Sequence, residues 1–79
     1  MYHIYAKVHT IHGKFTGFCS GDIETLEEAN NERNQIQESL ASDITAFTFF
    51  SENEPDTDIT LIGAQISNSI FELSIRQSK

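Results

Sequence analysis

The sequence has a single cysteine, a single proline and no long apolar run. Because Cys19 has no second cysteine to pair with, an internal disulfide is excluded, and the chain fits a reducing compartment such as the cytoplasm. No apolar stretch approaches the ~20 residues that a membrane-spanning helix needs. The opening stretch MYHIYAKVHT lacks the apolar core of a secretory signal. We therefore expect a soluble cytoplasmic protein that makes no membrane contact.

Basic residues are also scarce. Five lysines and arginines stand against twelve aspartates and glutamates, which gives a formal net charge of −7 at pH 7. Eleven of the acids and only one base, Arg33, lie between residues 22 and 58, so that segment carries a net charge of −10. Proteins that bind nucleic acids directly use Lys and Arg to displace counterions from phosphates. The charge therefore argues against direct nucleic-acid binding and favours a protein partner with a basic surface.

Along residues 2–10 the side chains fall into two sets that alternate at every residue, and this period of two is typical of a β-strand. The pair His12-Gly13 predicts a tight turn after it, because glycine tolerates a positive φ. A two-residue loop at that position pairs Ala6 with Cys19. Since cross-strand partners share a face, Phe15 and Cys19 are expected on the same, inner side as Ala6.

A helix is predicted from about Leu26 to Ala41. The run Thr25-Leu26-Glu27-Glu28 has the T-x-x-E form of a capping box, with Thr25 as the N-cap. Carboxylates in the first turn also suit the helix dipole. Apolar and long side chains then recur at spacings of three and four, as in an amphipathic helix. This stripe consists of Leu26, Ala29, Arg33, Ile36 and Leu40.

Three further strands are predicted after the helix, at Ile44–Phe50, Ile59–Ile62 and Ile70–Arg76. Residues 63–69 fit either a plain turn or a single helical turn. The predicted fold class is α+β: one small β-β-α-β-β domain over residues 1–79, with a meandering antiparallel sheet and one amphipathic helix on one face.

One helix leaves the other face of such a sheet uncovered. Large apolar groups on an open face usually indicate a partner. Either Phe47 and Phe49 or Ala46 and Phe50 point outward there, and the sequence leaves both alternatives open. The predicted self-association face consists of Tyr5, Phe18, Phe47, Phe49 and Ile70. A homodimer through this face or through a sheet edge is one interpretation. The others are a sheet that curls on itself and a C-terminal tail that folds over it.

The sequence contains histidines and a cysteine, but their positions do not suit metal binding or nucleophilic catalysis. His3 and His9 share a strand face but stand about 20 Å apart at the usual strand rise, so they cannot ligate one metal ion. His9 and His12 lie closer, yet no third ligand is apparent. Cys19 precedes a helix, but its pairing and the nearby acids disfavour a thiolate. We expect no metal, no cofactor and no catalytic residue.

The acids form the strongest candidate site. Glu52, Glu54, Asp56 and Asp58 alternate, which in an extended segment places them on one side. A solvated loop is the simpler interpretation of that segment. The sharper one joins the loop to the acids of the helix in a single negative surface. The predicted partner-binding residues are Glu24, Glu27, Glu28, Glu32, Glu52, Glu54, Asp56 and Asp58.

The leading hypothesis is a non-enzymatic binding protein. Its acidic, DNA-mimic-like surface would dock on the basic groove of a nucleic-acid-handling protein and act as a stoichiometric inhibitor or modulator. An anti-CRISPR or anti-restriction protein of a phage or mobile element is the concrete instance. In size, acidity and element order the chain is similar to small phage-, plasmid- or prophage-encoded proteins in general. The alternative is a homo-oligomeric accessory or structural protein that associates through the open aromatic face. An enzyme that uses Cys19 or a histidine is the least favoured reading.

Overall fold

The computed structural model describes residues 1–42, 45–51 and 57–77, and these form five strands and two helices. In chain order the elements are β1 (Tyr2–Thr10), β2 (Gly13–Phe18), α1 (Leu26–Ala41), β3 (Ala46–Ser51), β4 (Asp58–Ile62), α2 (Ala64–Ser67) and β5 (Ile70–Gln77). The α+β class is confirmed. Residues 63–69, for which the sequence left two alternatives, contain one helical turn. None of the described helices is long and apolar enough to span a membrane.

The β1–β2 hairpin turns one residue earlier than the sequence predicted. Thr10 pairs with Gly13, so the loop is Ile11-His12, and Gly13 takes a positive φ of 129°. Cys19 consequently donates its N–H to the carbonyl of Ile4, at 2.9 Å, and does not pair with Ala6. The correction moves every partner by two positions. Because side chains alternate with a period of two, the predicted faces survive it.

The sheet has the strand order β4-β3-β2-β1-β5 with antiparallel pairing throughout. The predicted β-β-α-β-β order with a simple meander therefore differs in detail from the observed strand order, whereas the three strands predicted after the helix are all present. Three strands follow α1, and the last of them crosses to the far edge and pairs with β1. That position places Leu73 opposite Ala6 and Ile75 opposite Ile4. Pairing with β1 buries the apolar side of β5 beside the most buried strand of the sheet. Pairing with β4 at the opposite edge would not bury it in this way.

The helix α1 begins and ends where the sequence predicted. The Glu28 N–H donates to the Thr25 hydroxyl at 3.1 Å, which satisfies one of the amides that a helix start leaves unpaired. Ala29 is fully buried against the sheet, whereas Leu26 is 50% exposed. Ile36 and Leu40 are half-buried and pack against the core. The helix thus covers the β1 and β5 side of one sheet face.

The core lies between this sheet face and the two helices. Ile4, Ala6, Val8 and Phe49 have no exposed surface, and Ile66 of α2 packs over the same cluster. Strands β2 and β3 approach so closely that a Cβ at Gly17 would lie 2.1 Å from the carbonyl oxygen of Phe50. We call the side covered by α1 and α2 the covered face and the other side the open face.

Candidate functional site

Four carboxylates surround the start of α1: those of Glu24, Glu27, Glu28 and Glu32, which we call the acidic helix surface. All four residues are exposed. Thr25 caps the helix between them and fixes the direction of its first turn. Within the part of the chain that the structure describes, no ion pair engages any of the four. These charges are therefore available to a partner.

The single base of the helix does not neutralise this surface. Arg33 is half-buried, and its Nε atom is buried with no hydrogen-bond partner among the described residues. Its aliphatic stem therefore packs on the sheet side of the helix. Other long charged side chains cover apolar surface in the same way.

Of the four predicted loop acids, only Asp58 lies within the residues that the structure describes. Glu52, Glu54 and Asp56 fall outside the described residues. Asp58 is exposed and pairs with Phe50, and Phe50 in turn pairs with Phe18 of β2. Because cross-strand partners share a face, Asp58 lies on the open face, on the opposite side of the sheet from α1. The structure therefore does not bring Asp58 into one surface with the acids of the helix.

The predicted self-association face needs a correction at two residues. Phe49 is fully buried on the covered face, and Phe47 packs there against Phe71 with ring centroids 5.4 Å apart. The other alternative holds, since the β2–β3 register places Phe50 opposite Phe18 and so turns Ala46 and Phe50 outward. The sequence could not decide between them because the run AFTFF has aromatic side chains on both faces.

Tyr5 and Phe18 lie on the open face as predicted, but their own chain covers much of them. Tyr5 is only 4% exposed. The Phe18 ring meets it edge-on at a centroid distance of 5.5 Å, and the Arg76 guanidinium carbon lies 3.4 Å from the Tyr5 ring centroid. This cation–π stack encloses the tyrosine without a partner protein. The sequence did not lead us to predict this stack, although Arg76 stands at an alternate strand position that would place it on this face.

The apolar groups that stay exposed on the open face are spread towards its two edges. Phe50 is 49% exposed, Ile62 is 59% exposed and Ile70 is 68% exposed. Ile62 belongs to β4 and Ile70 to β5, at opposite ends of the strand order. Of these three, only Ile70 was in the predicted self-association set.

Among the described residues, the two sides of the molecule differ in charge. Lys7, Lys14 and Arg76 lie on the open face, together with the carboxylates of Asp58 and Glu72. The helix side carries the acidic helix surface. The alternation of residues along β1 and β2 could have revealed this polarity, because Lys7 has the parity of Tyr5 and Lys14 has that of Phe18.

The histidines of β1 take part in local pairs. His9 Nε2 lies 3.0 Å from Glu72 Oε2, and this hydrogen bond holds the pKa of the Glu72 carboxyl below its usual value. His3 Nε2 lies 3.3 Å from Asp22 Oδ1. In the described ranges no three His, Cys, Asp or Glu side chains are grouped as metal ligands would be.

Cys19 lies between the sheet and α1 rather than at an open surface. Its Sγ atom is 3.6 Å from the carbonyl oxygen of Ile4. Burial raises the pKa of the thiol to about 11, and the charge of Glu32 adds to the increase. A thiol with such a pKa is almost entirely protonated at neutral pH, which disfavours nucleophilic chemistry.

An apolar cleft of about 390 Å³ opens between the β1–β2 hairpin tip, β4 and α2. Ile11, Phe15, Ile59 and Leu61 line it, and His12 is the only ionisable residue among the described lining. Phe15 is 37% exposed at this cleft although it lies on the covered face. No residue of the acidic helix surface borders it.

Comparison of the chain with protein-family models, with curated proteins and with solved structures finds no match.

Proposed function

We propose that the protein is a non-enzymatic binding protein whose acidic helix surface docks on a basic protein surface. The observation that supports this is the placement of four exposed carboxylates around one capped helix start, where they form no ion pair with any described residue. Glu28 and Glu32 stand four residues apart on the helix, where like charges repel and lower helix stability. A basic partner would relieve that repulsion.

The partner class follows from the charge distribution. The acidic helix surface, which carries four of the eleven acids in the segment 22–58, suits a groove that normally holds phosphates, and such grooves belong to nucleic-acid-handling proteins. In this role the chain competes with nucleic acid for the groove and acts as a stoichiometric inhibitor or modulator. An anti-CRISPR or anti-restriction protein of a phage or mobile element is the concrete form of the proposal.

Two matched variants test it in affinity capture from a host lysate. One neutralises the acidic helix surface (E24Q/E27Q/E28Q/E32Q), and the other neutralises the loop (E52Q/E54Q/D56N/D58N), so both lose the same charge. The helix variant is expected to lose the captured protein, and wild-type capture is expected to weaken steeply as salt rises. The captured protein should also lose nucleic-acid binding at a one-to-one ratio. Capture that both variants retain, or that salt leaves unchanged, refutes the proposal.

The exposed apolar groups of the open face support a second candidate, a homo-oligomeric accessory or structural protein. Phe50 is the best probe, because it is 49% exposed, whereas Phe18 packs on Tyr5. In this case wild-type protein sediments as an oligomer and Phe50→Asp sediments as a monomer. An oligomer that survives Phe50→Asp removes the open face from consideration.

A further inference from the structure

The strand β5 forms one edge of the sheet. In the described part of the chain it pairs only with β1, and its eight residues make it longer than β4, the five-residue strand at the opposite edge. A long edge strand presents a row of backbone donors and acceptors that another strand can bind. This edge is therefore the better of the two templates for pairing with another chain.

The hydrogen bonds of β1 show which groups of β5 face outward. The carbonyl of Ile4 accepts from Cys19, and Tyr2 exchanges two bonds with Ile23, so the even residues of β1 direct their backbone groups towards β2. The odd residues of β1 must then bond to β5, since antiparallel pairs alternate along a strand. Their partners include Ser74, which faces Tyr5. The residues whose N–H and C=O groups point away from β1 are thus Phe71, Leu73, Ile75 and Gln77.

These outward groups allow an antiparallel pair with a second copy of the same strand. A two-fold axis at Ser74 places Leu73 opposite Ile75 of the second copy, so the outward backbone groups meet and the apolar side of the sheet continues across the junction. On the open face the same register places Glu72 opposite Arg76 of the second copy, twice by symmetry. An axis at Leu73 or at Ile75 leaves these charges opposite other residues, and an axis at Glu72 opposes like charges. The edge is therefore self-complementary in one register.

We propose that two copies of the chain pair through β5 in this register and form one continuous ten-stranded sheet. Such an isologous contact closes on itself. The axis is perpendicular to the sheet, so both α1 helices lie on the same side of it, and α1 packs against β5 as well as β1. The two acidic helix surfaces then lie on the same side of the dimer. Their use in binding a partner rests on the proposed function above. The pairing itself does not depend on that function and is tested without any partner.

Amide hydrogen exchange tests the pairing most directly. In the monomer the N–H groups of Glu72 and Ser74 point towards β1, whereas those of Leu73 and Ile75 point away from it. Strand pairing at one edge is expected to form a small and weak interface, so the experiment extends to protein concentrations of about 1 mM. The Leu73 and Ile75 amides are expected to become protected as the mass rises from 8.9 kDa towards twice that value. A monomer over the whole range, or a dimer in which both amides stay unprotected, overturns the proposal.

Charge exchange tests the register. Glu72→Arg and Arg76→Glu each oppose like charges twice, and each is expected to weaken the dimer about tenfold or more. Glu72→Arg also lowers the net negative charge of each copy, which alone would favour association, so its weakening cannot be a general charge effect.

Two restorations complete the test. The double variant E72R/R76E is expected to restore dimerisation, and so is a one-to-one mixture of the two single variants. Both restorations occur although the contacts of Glu72 with His9 and of Arg76 with Tyr5 are lost. The control is Phe50→Asp, which alters the open face away from β5 and should leave this dimer intact. Dimerisation that neither reversal weakens, or that Phe50→Asp abolishes, contradicts the β5 register.

Discussion

Phe49 and Phe50 are adjacent in sequence and lie on opposite faces of the sheet, and their surroundings differ. Phe49 has no exposed surface and packs in the cluster of Ala6, Val8, Leu61 and Ile66. Phe50 is 49% exposed on the face that no helix covers. The same residue type thus contributes to the core at one position and remains available for contacts at the next. Close packing is thus concentrated on the covered face.

The helix α1 repeats this division around its own axis. Ala29 is fully buried against the sheet, whereas Glu27, Glu28 and Glu32 face outward. Substitutions on the packed side should change the free energy of unfolding, and those on the outer side should change binding.

The largest expected effect is the loss of a core ring. Phe49→Ala should lower the free energy of unfolding by about 3–5 kcal/mol, because it leaves a cavity in a closed cluster. Phe50→Ala should lower it by less than about 1 kcal/mol, since that ring is half in solvent. Urea unfolding followed by circular dichroism measures both. Equal losses in the two variants would show that the open face is packed as the covered face is.

The second effect is a low reactivity of the Cys19 thiol in the folded protein. Its pKa of about 11 lies above the value of a thiol in an unfolded chain, so the thiolate fraction in the folded protein is roughly a hundredfold lower between neutral pH and about pH 8. Alkylation by iodoacetamide should be slower by about that factor in native protein than in urea. Because the folded pKa is the higher one, the associated stability is present below the unfolded pKa and is lost as pH rises towards 11. A fast native reaction would place the thiol at the surface and reopen the enzymatic interpretation.

A smaller effect is expected at the helix cap. Thr25→Ala removes the acceptor of the Glu28 N–H and should lower the free energy of unfolding by about 1 kcal/mol. Thr25→Ser keeps a hydroxyl and should cost little. If Thr25→Ser is as destabilising as Thr25→Ala, the cap hydrogen bond is not the source of the effect.

The smallest effect lies on the acidic helix surface. Glu32→Gln removes the repulsion from Glu28 one turn earlier and should raise the free energy of unfolding by about 0.2–0.5 kcal/mol. In 1 M salt, where the Debye length is about 3 Å, this gain should vanish. A loss of stability in low salt would mean that the carboxylate makes a structural contact, and Glu32 would then leave the binding surface.

The sequence predicted what depends on local chemistry. Thr25 and the spacing of Ala29 and Ile36 were enough for the bounds of α1. The faces of the hairpin were predicted correctly although its turn was misplaced, because a shift of two positions preserves the alternation.

Long-range choices could not be predicted in the same way. Whether β5 pairs with β1 or with β4 depends on which neighbour buries its apolar side better, and no local signal expresses that. The stacking of Arg76 on Tyr5 follows from the same pairing. The sequence left open which face of the sheet Phe49 occupies, because aromatic residues stand at both odd and even positions of its strand. For the candidate site, the helix acids are exposed, whereas Asp58 lies on the opposite side of the sheet.

The most direct test of the central claim is the salt-dependent capture of a partner by wild type and by the E24Q/E27Q/E28Q/E32Q variant. Wild type is expected to retain a nucleic-acid-handling protein at low salt and to release it as salt rises, and the helix variant is expected to fold without retaining it. Equal retention by the two proteins across the salt series would show that the acidic helix surface does not carry the binding.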